Sequence, residues 1–218
     1  MNLKAIDVDL STRVDRVADA LRQAIFDGDL NPGDRLGEQV LSQRLGVSRN
    51  TVREALRILS TDGLTVHMPN KGVTVRSLSV AEVEDIFRAR TVLEMEAARA
   101  SLSCPQQALD VLSAAMDAYA AAALSGNDSS AAKAHVDFHV AMVAITGSDR
   151  LAGLERALMQ DLQVLIVAID KSSDDLPNEV EKHRKLLSLF SARDLRGTTR
   201  CLEEDLLHAK SFILRRAT

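Results

Sequence analysis

Apolar residues recur at spacings of three and four through residues 11–27. Val14, Val17, Ala18, Leu21 and Ile25 share one face, which is the period of an amphipathic helix. Ser11 is read as its N-cap, Gly28 ends it, and Asn31-Pro32-Gly33 forms a turn. A short helix is predicted from about Glu38 to Leu45, closed by Gly46. A third runs from Arg49 to Ser60 with Ser48 as cap, and its apolar stripe is Val52, Ala55, Leu56 and Leu59. Two helices joined by Leu45-Gly46-Val47-Ser48 make a helix-turn-helix pattern. Two β-branched stretches follow, Leu64–His67 and Val73–Arg76, separated by the turn Met68–Gly72. They predict a β-hairpin, or wing.

Strand signals vanish from Ser79 onward. Helical patterns cover Ser79–Ser103, Gln106–Leu124, Ser130–Thr146, Arg150–Ile169, Asn178–Ala192 and Leu195–Arg215. The breaks fall at Pro105, at residues 125–128, at residues 146–148, at Ser172–Pro177 and at Arg193-Asp194. The predicted fold is mainly α. It has a winged helix-turn-helix of three helices and a hairpin over residues 1–77, and an all-α bundle over 78–218.

Composition narrows the function. Aromatics are 3% of the 218 residues and Trp is absent, so stacking platforms for single-stranded nucleic acid are not expected. Cys104 and Cys201 lack CxxC spacing and read as buried small apolar residues. The amino-terminal segment has acids and no apolar h-region, and the run Val164–Ile169 is too short to span a bilayer. A cytoplasmic protein is therefore expected, without a membrane partner. The net charge of −4 is unevenly spread. Residues 44–76 carry Arg44, Arg49, Arg53, Arg57, Lys71 and Arg76 against only Glu54 and Asp62. A basic patch within an acidic chain suits a DNA module joined to a part that does not touch DNA.

On the third helix Arg49, Arg53, Arg57 and Ser60 recur on a face other than the apolar stripe, with Asn50 alongside. Guanidinium forks so placed can bond guanine O6 and N7 in the major groove or clamp phosphates. In isolation such a stripe reads as a solvated basic face. Between a helix-turn-helix and a wing it reads as a recognition helix. A module of this size gains affinity by binding two half-sites, so a homodimer on a palindromic operator is expected.

The stretch from Leu21 to Gly72 resembles the GntR family of regulators. It carries the resemblance in Gly28-Asp29-Leu30-Asn31-Pro32-Gly33-Asp34-Arg35-Leu36, Glu38, Leu45-Gly46-Val47-Ser48-Arg49, Val52-Arg53-Glu54-Ala55-Leu56 and Gly63-Leu64. The resemblance implies DNA contacts from Arg35, Arg44, Ser48, Arg49, Asn50, Arg53 and the wing tip near Gly72. His67 stands where the family often has a charged residue entering the wing.

The second half offers a polar cluster. His135 and His139 are four apart and share a helix face, and His183 and Asp205 lie on or near the core faces of two later helices. Taken singly, each histidine reads as a satisfied core residue. Together they would suit a divalent transition metal such as zinc or nickel, and manganese less well. Residues 79–216 are similar to the FCD ligand-binding domain through Arg90-Thr91-Val92-Leu93-Glu94, Ala97-Ala98, Phe138-His139, and His183 followed by Arg193-Asp194. The metal-binding branch of that family usually has Asp where His135 stands and His where its interval reaches Asp205. The resemblance thus implies a permuted set of three His and one Asp, with His208 as the competing fourth ligand. Arg90 is expected either to grip an effector carboxylate beside the metal or to pair with Glu94 on the helix surface. The function expected is a regulator, repressor or activator, that senses a small organic acid. A sensor of the metal itself is the alternative. A metal-dependent hydrolase is less favoured, because no HExxH or similar motif is present.

Overall fold

The computed structural model describes residues 11–69, 71–126, 128–172 and 176–215. Part of the expected break at Ser172–Pro177 falls outside these residues. So do Asn70 and Asn127, within two other expected turns, and the amino-terminal segment before Ser11. The chain divides into one unit ending at Ser77 and a second beginning at Leu78.

In the first unit α1 spans Ser11–Asp27, α2 Glu38–Leu45 and α3 Arg49–Thr61, followed by β1 Thr65–Met68 and β2 Gly72–Val75. Ser11 is itself the first helical residue of α1, and the position before it is outside the described residues. Val17, Ala18, Leu21, Ile25 and Phe26 of α1 are buried, as are Val52, Ala55, Leu56 and Leu59 of α3, and α1 packs on α3. Gly46 ends α2 in the left-handed region at φ 64°, where a side chain would be strained. Ser48 then caps α3, its Oγ accepting from Thr51 N at 3.0 Å.

The hairpin is antiparallel, with Thr65 opposite Val75 and Met68 opposite Gly72. Each strand is displaced by one residue from its expected bounds. The segment after the Asn31-Pro32-Gly33 turn also joins the sheet. Leu36 N donates to Val73 O at 2.8 Å, Val75 N donates to Asp34 O at 2.9 Å, and Arg35 bridges Thr74. This third strip explains why Arg35 sits beside the wing.

The second unit contains, among the described residues, α4 Val80–Ala100, α5 Gln106–Leu124, α6 Asp128–Ala144, α7 Asp149–Ser172, α8 Leu176–Ser191 and α9 Leu195–Leu214. Ser79 and Glu82 form a reciprocal capping box at the start of α4. One core cluster gathers Leu112, Met116, Tyr119, Phe138, Met142, Leu186, Phe190 and Leu202 from α5, α6, α8 and α9. Another gathers Val83, Phe87, Val136, Met159, Leu162 and Leu206. The polar site lies where these two clusters meet on α6 and α9. Cys104 and Cys201 are both buried free thiols, and burial pushes the Cys201 thiol up to about 11.

Candidate functional site

In the first unit Arg49, Asn50 and Arg53 of α3 are exposed, as are Ser48, Arg44 at the end of α2, and Arg35. Gly72 opens β2 at φ 80°, so the wing turns through a conformation that favours glycine. Arg53 is not left to solvent. Its Nε donates to Glu38 Oε1 at 2.9 Å and its Nη2 to Glu38 Oε2 at 2.8 Å. Arg57 donates to Glu54 at 3.1 Å, one turn back on the same helix. Ser48 Oγ already serves α3 as its cap and is 2.8 Å from the Thr51 hydroxyl.

In the second unit α6 presents His135 and His139 one turn apart, and α8 presents His183 to the same point. The three Nε2 atoms are 3.2, 3.2 and 3.3 Å from one another. Zinc bound tetrahedrally at about 2.0–2.1 Å from nitrogen requires ligand nitrogens about 3.3–3.4 Å apart. The spacing therefore fits a metal held by three imidazoles on one face. The opposite ring edges decide which nitrogens are free. His183 Nδ1 donates to the Glu179 carbonyl at 2.7 Å, so its neutral ring turns the Nε2 lone pair inward. His139 Nδ1 lies 3.4 Å from Glu94 Oε1, which can accept its proton, and 3.3 Å from Arg90 Nη2, which can only donate to it. His135 Nδ1 is buried without a hydrogen-bond partner, while Tyr119 stacks on the ring with centroids 5.0 Å apart.

Burial drives the protonation of the cluster. It lowers the pKa of His139 to about 4, against an upward pull from Glu94, and it lowers those of His135 and His183 as well. All three rings are thus neutral, the form that ligates a metal.

Behind the histidines lies a buried charge network. Arg90 donates to Glu94 Oε1 from Nη2 at 2.7 Å and from Nε at 3.0 Å, and Nε also reaches Glu155 Oε1 of α7 at 3.3 Å. Burial would raise the Glu94 pKa, but Arg90 and His139 outweigh it and hold the carboxyl down. Glu155 moves the other way: burial and the Glu94 charge push it well up, against the pull of Arg90. Its Oε2 has no hydrogen-bond partner. Glu94 is therefore the ionised partner of Arg90, and Glu155 holds a proton near neutral pH.

The expected set is brought together only in part. His135, His139 and His183 converge, whereas Asp205 does not join their cluster. It lines the same cavity, but its Oδ2 faces the Cys201 thiol at 3.7 Å, and burial raises its pKa. Asp205 thus lies on the cavity wall, turned toward Cys201, and outside the group of three histidines. His208 lines the cavity too and is likewise outside the cluster. Arg90 does pair with Glu94, yet the pair is buried at the cavity wall rather than on the helix surface. Sequence reasoning missed Glu155, Tyr119 and Glu38. The cavity beside the triad measures about 100 Å³, and Leu206, Ala209, Phe212 and Ile213 of α9 face it together with Phe87.

Residues 13–75 match the bacterial regulatory proteins of the gntR family, and residues 85–208 match the FCD domain. A regulator of the Agrobacterium vitis ttuE–ttuC' intergenic region is 36% identical over 61% of this chain and 80% of its own length. The Nta operon transcriptional regulator of Aminobacter aminovorans is 29% identical over 74% of this chain and 76% of its own. The match to the YdhC regulator of Bacillus subtilis, 39% identical, covers 34% of this chain and a third of that protein's length. Among solved structures, a GntR regulator from Rhodococcus sp. RHA1 superposes with a TM-score of 0.68 at 27% identity, over 93% of this chain and 98% of that one. Fold, wing and relatives together define a DNA-binding transcription regulator, not an enzyme. The chain belongs to the GntR family and carries an FCD domain as its second unit. No described helix is long and apolar enough to cross a membrane.

Proposed function

We propose that this regulator binds a palindromic operator as a homodimer and senses a small carboxylate at a divalent-metal centre built from His135, His139 and His183. The observation that carries the reading is the mutual spacing of the three Nε2 atoms at 3.2–3.3 Å, with the His183 lone pair turned inward by the Glu179 carbonyl on its opposite nitrogen. Three neutral imidazoles that all turn Nε2 lone pairs to this point would have no donor between them. A cation satisfies all three at once. Zinc fits the nitrogen-only set best, with nickel and manganese behind it.

When bound, such a cation supplies a Lewis-acidic position that accepts a carboxylate oxygen. The chain's own residues do the rest. Glu94 holds the His139 ring. Arg90, tied to Glu94 and Glu155, contributes its charge to the wall from a fixed place instead of reaching for the ligand. The apolar face of α9, with Phe87, receives the non-acidic end of the ligand. A cavity of about 100 Å³ favours a small acid over a bulky one.

The test is a thermal-shift screen of short carboxylic acids with and without zinc, joined to operator binding. An acid that raises the melting temperature only when zinc is present, and changes operator affinity, supports the reading. Zinc that alters operator affinity with no acid able to add to it favours the metal itself as the signal. Light scattering that finds a monomer at micromolar concentration with full operator affinity removes the dimer.

A further inference from the structure

Glu38 is the first residue of α2 and Arg53 lies in the middle of α3, so their bidentate pair ties together the two helices of the DNA-binding motif. Side-chain exposures of 50% for Arg53 and 33% for Glu38 leave the pair well solvated, and such pairs add little to fold stability. Its geometry says more. Glu38 takes two of the five N–H donors of the guanidinium, both on its Nε side. The edge formed by Nη1 and the second N–H of Nη2 points beyond the carboxylate. Those two parallel donors are the pattern that guanine O6 and N7 accept together. The Glu38 carboxyl is held below its usual range, chiefly by the hydrogen bond from Arg53, against the opposing effect of burial, and the charges of Arg53 and Arg49 add to it. Glu38 thus stays ionised beside Arg49 and Arg53 of the recognition helix, where its charge repels phosphates and offsets the attraction of those arginines for any duplex whatever its sequence.

We propose that Glu38 is the specificity-determining positioning residue of the DNA site: it clamps Arg53 side-on so that the outer guanidinium edge reads one guanine, and its charge suppresses sequence-independent binding. This rests on the reading of Arg53 as a base contact.

The full-length protein, Glu38→Gln, Arg53→Ala and the double variant are each used to select duplexes from a random pool. Their affinities for the wild-type motif, for motifs changed at single base pairs, and for a duplex of about 30 base pairs lacking the motif are then measured across salt. Arg53→Ala is expected to lose one guanine position per half-site. Glu38→Gln is expected to cut discrimination at that same position by about threefold to tenfold, part of what a full bidentate contact supplies. Its affinity for the unrelated duplex should rise at least about twofold, with a steeper salt dependence, and its melting temperature should stay as in wild type. The double variant should lose no more at that position than Arg53→Ala alone. A Glu38→Gln protein with the wild-type motif and unchanged binding to the unrelated duplex overturns the proposal. So does a loss spread evenly over all positions with a lowered melting temperature, which would mark a structural role. Arg53→Ala with every position intact overturns the base-contact reading itself, a result distinct from either of these.

Discussion

Glu94 Oε1 lies 3.4 Å from Nδ1 of His139, on the edge of the ring opposite the nitrogen that faces His135 and His183. The same oxygen accepts from Arg90. One carboxylate thereby faces a guanidinium and an imidazole at once. Arg90 Nη2 also lies 3.3 Å from that Nδ1; a proton on Nδ1 held by Glu94 is the tautomer that frees His139 Nε2 for a metal. Carboxylates in this position raise ligand basicity, and their loss costs roughly 10–100-fold in metal affinity. Glu94→Gln should weaken zinc binding by about that factor while leaving the stoichiometry at one ion per chain. Titration against a competing chelator reads the affinity, and an unchanged value removes the positioning role.

The metal ligands themselves should behave differently. His135→Ala, His139→Ala and His183→Ala should each abolish stoichiometric metal, as read by elemental analysis of the purified protein. His208→Ala should keep it. Asp205→Ala should also keep it, because that carboxylate faces Cys201 rather than the triad. Stripping the metal from the wild type should lower the melting temperature: at free metal about a thousandfold above Kd the bound ion stabilises by about 4 kcal/mol. For a protein of this size that is about 2–4 °C for each kcal/mol. Loss of metal in Asp205→Ala with its retention in His183→Ala would show a different ligand set.

Glu155 gives a pH dependence with a definite sign. Its folded pKa is raised above the ordinary 4.5 by burial and by Glu94. The folded state therefore holds a proton that the unfolded chain has already released, and stability falls as pH climbs from 4.5 toward the raised value. Glu155→Gln removes this titration. The variant should melt within about a degree of wild type near pH 5 and several degrees higher at pH 8, with a gap that widens with pH. Calorimetry at both values checks it, and a gap that narrows with rising pH contradicts the assignment of the proton.

How far these features were legible in the sequence follows from how local their causes are. The helices of the first unit are set by apolar spacing and by Ser48, Gly46 and Gly28, all within a few residues of what they control, and they fall almost where the pattern puts them. Arg35 lies beyond the Asn31-Pro32-Gly33 turn, and in the sequence only the family resemblance singles it out, as a DNA contact. The strand character of its strip comes from pairing with Val73 and Val75, some forty residues on, and nothing local encodes that. His135 and His139 are legible as a pair because helix geometry fixes their common face. Apolar spacing puts His183 on or near the core face of its own helix, but nothing local brings that helix to the pair; the family resemblance supplies that step. Glu155 is separated from Arg90 by 65 residues and resembles any surface glutamate in the sequence; only the packing of α7 on α4 shows it to be buried. Helical spacing and the family interval both point to Asp205, and neither reports that its carboxylate faces Cys201. The Glu38–Arg53 pair joins two residues whose separate roles each have an ordinary local reading.

Arg49 separates binding from stability more cleanly than any other residue of the recognition helix. It is the first residue of α3, directly after the Ser48 cap, and so lies at the positive end of the helix dipole. A cation there costs about 0.3–1 kcal/mol when exposed. The nearby Glu38 charge offsets part of that cost. The fold therefore gains nothing from Arg49, whereas residues at the N-terminal end of a recognition helix are those that reach base edges in the major groove. Arg49→Ala should melt at the wild-type temperature or slightly above it. It should lose about 1–3 kcal/mol of specific operator binding, which is roughly five- to 150-fold in Kd. Circular-dichroism melts and anisotropy titrations on the same preparation test both halves. A lowered melting temperature that accounts for the lost affinity would make Arg49 a structural residue, and unchanged affinity would place a different face of α3 against the DNA.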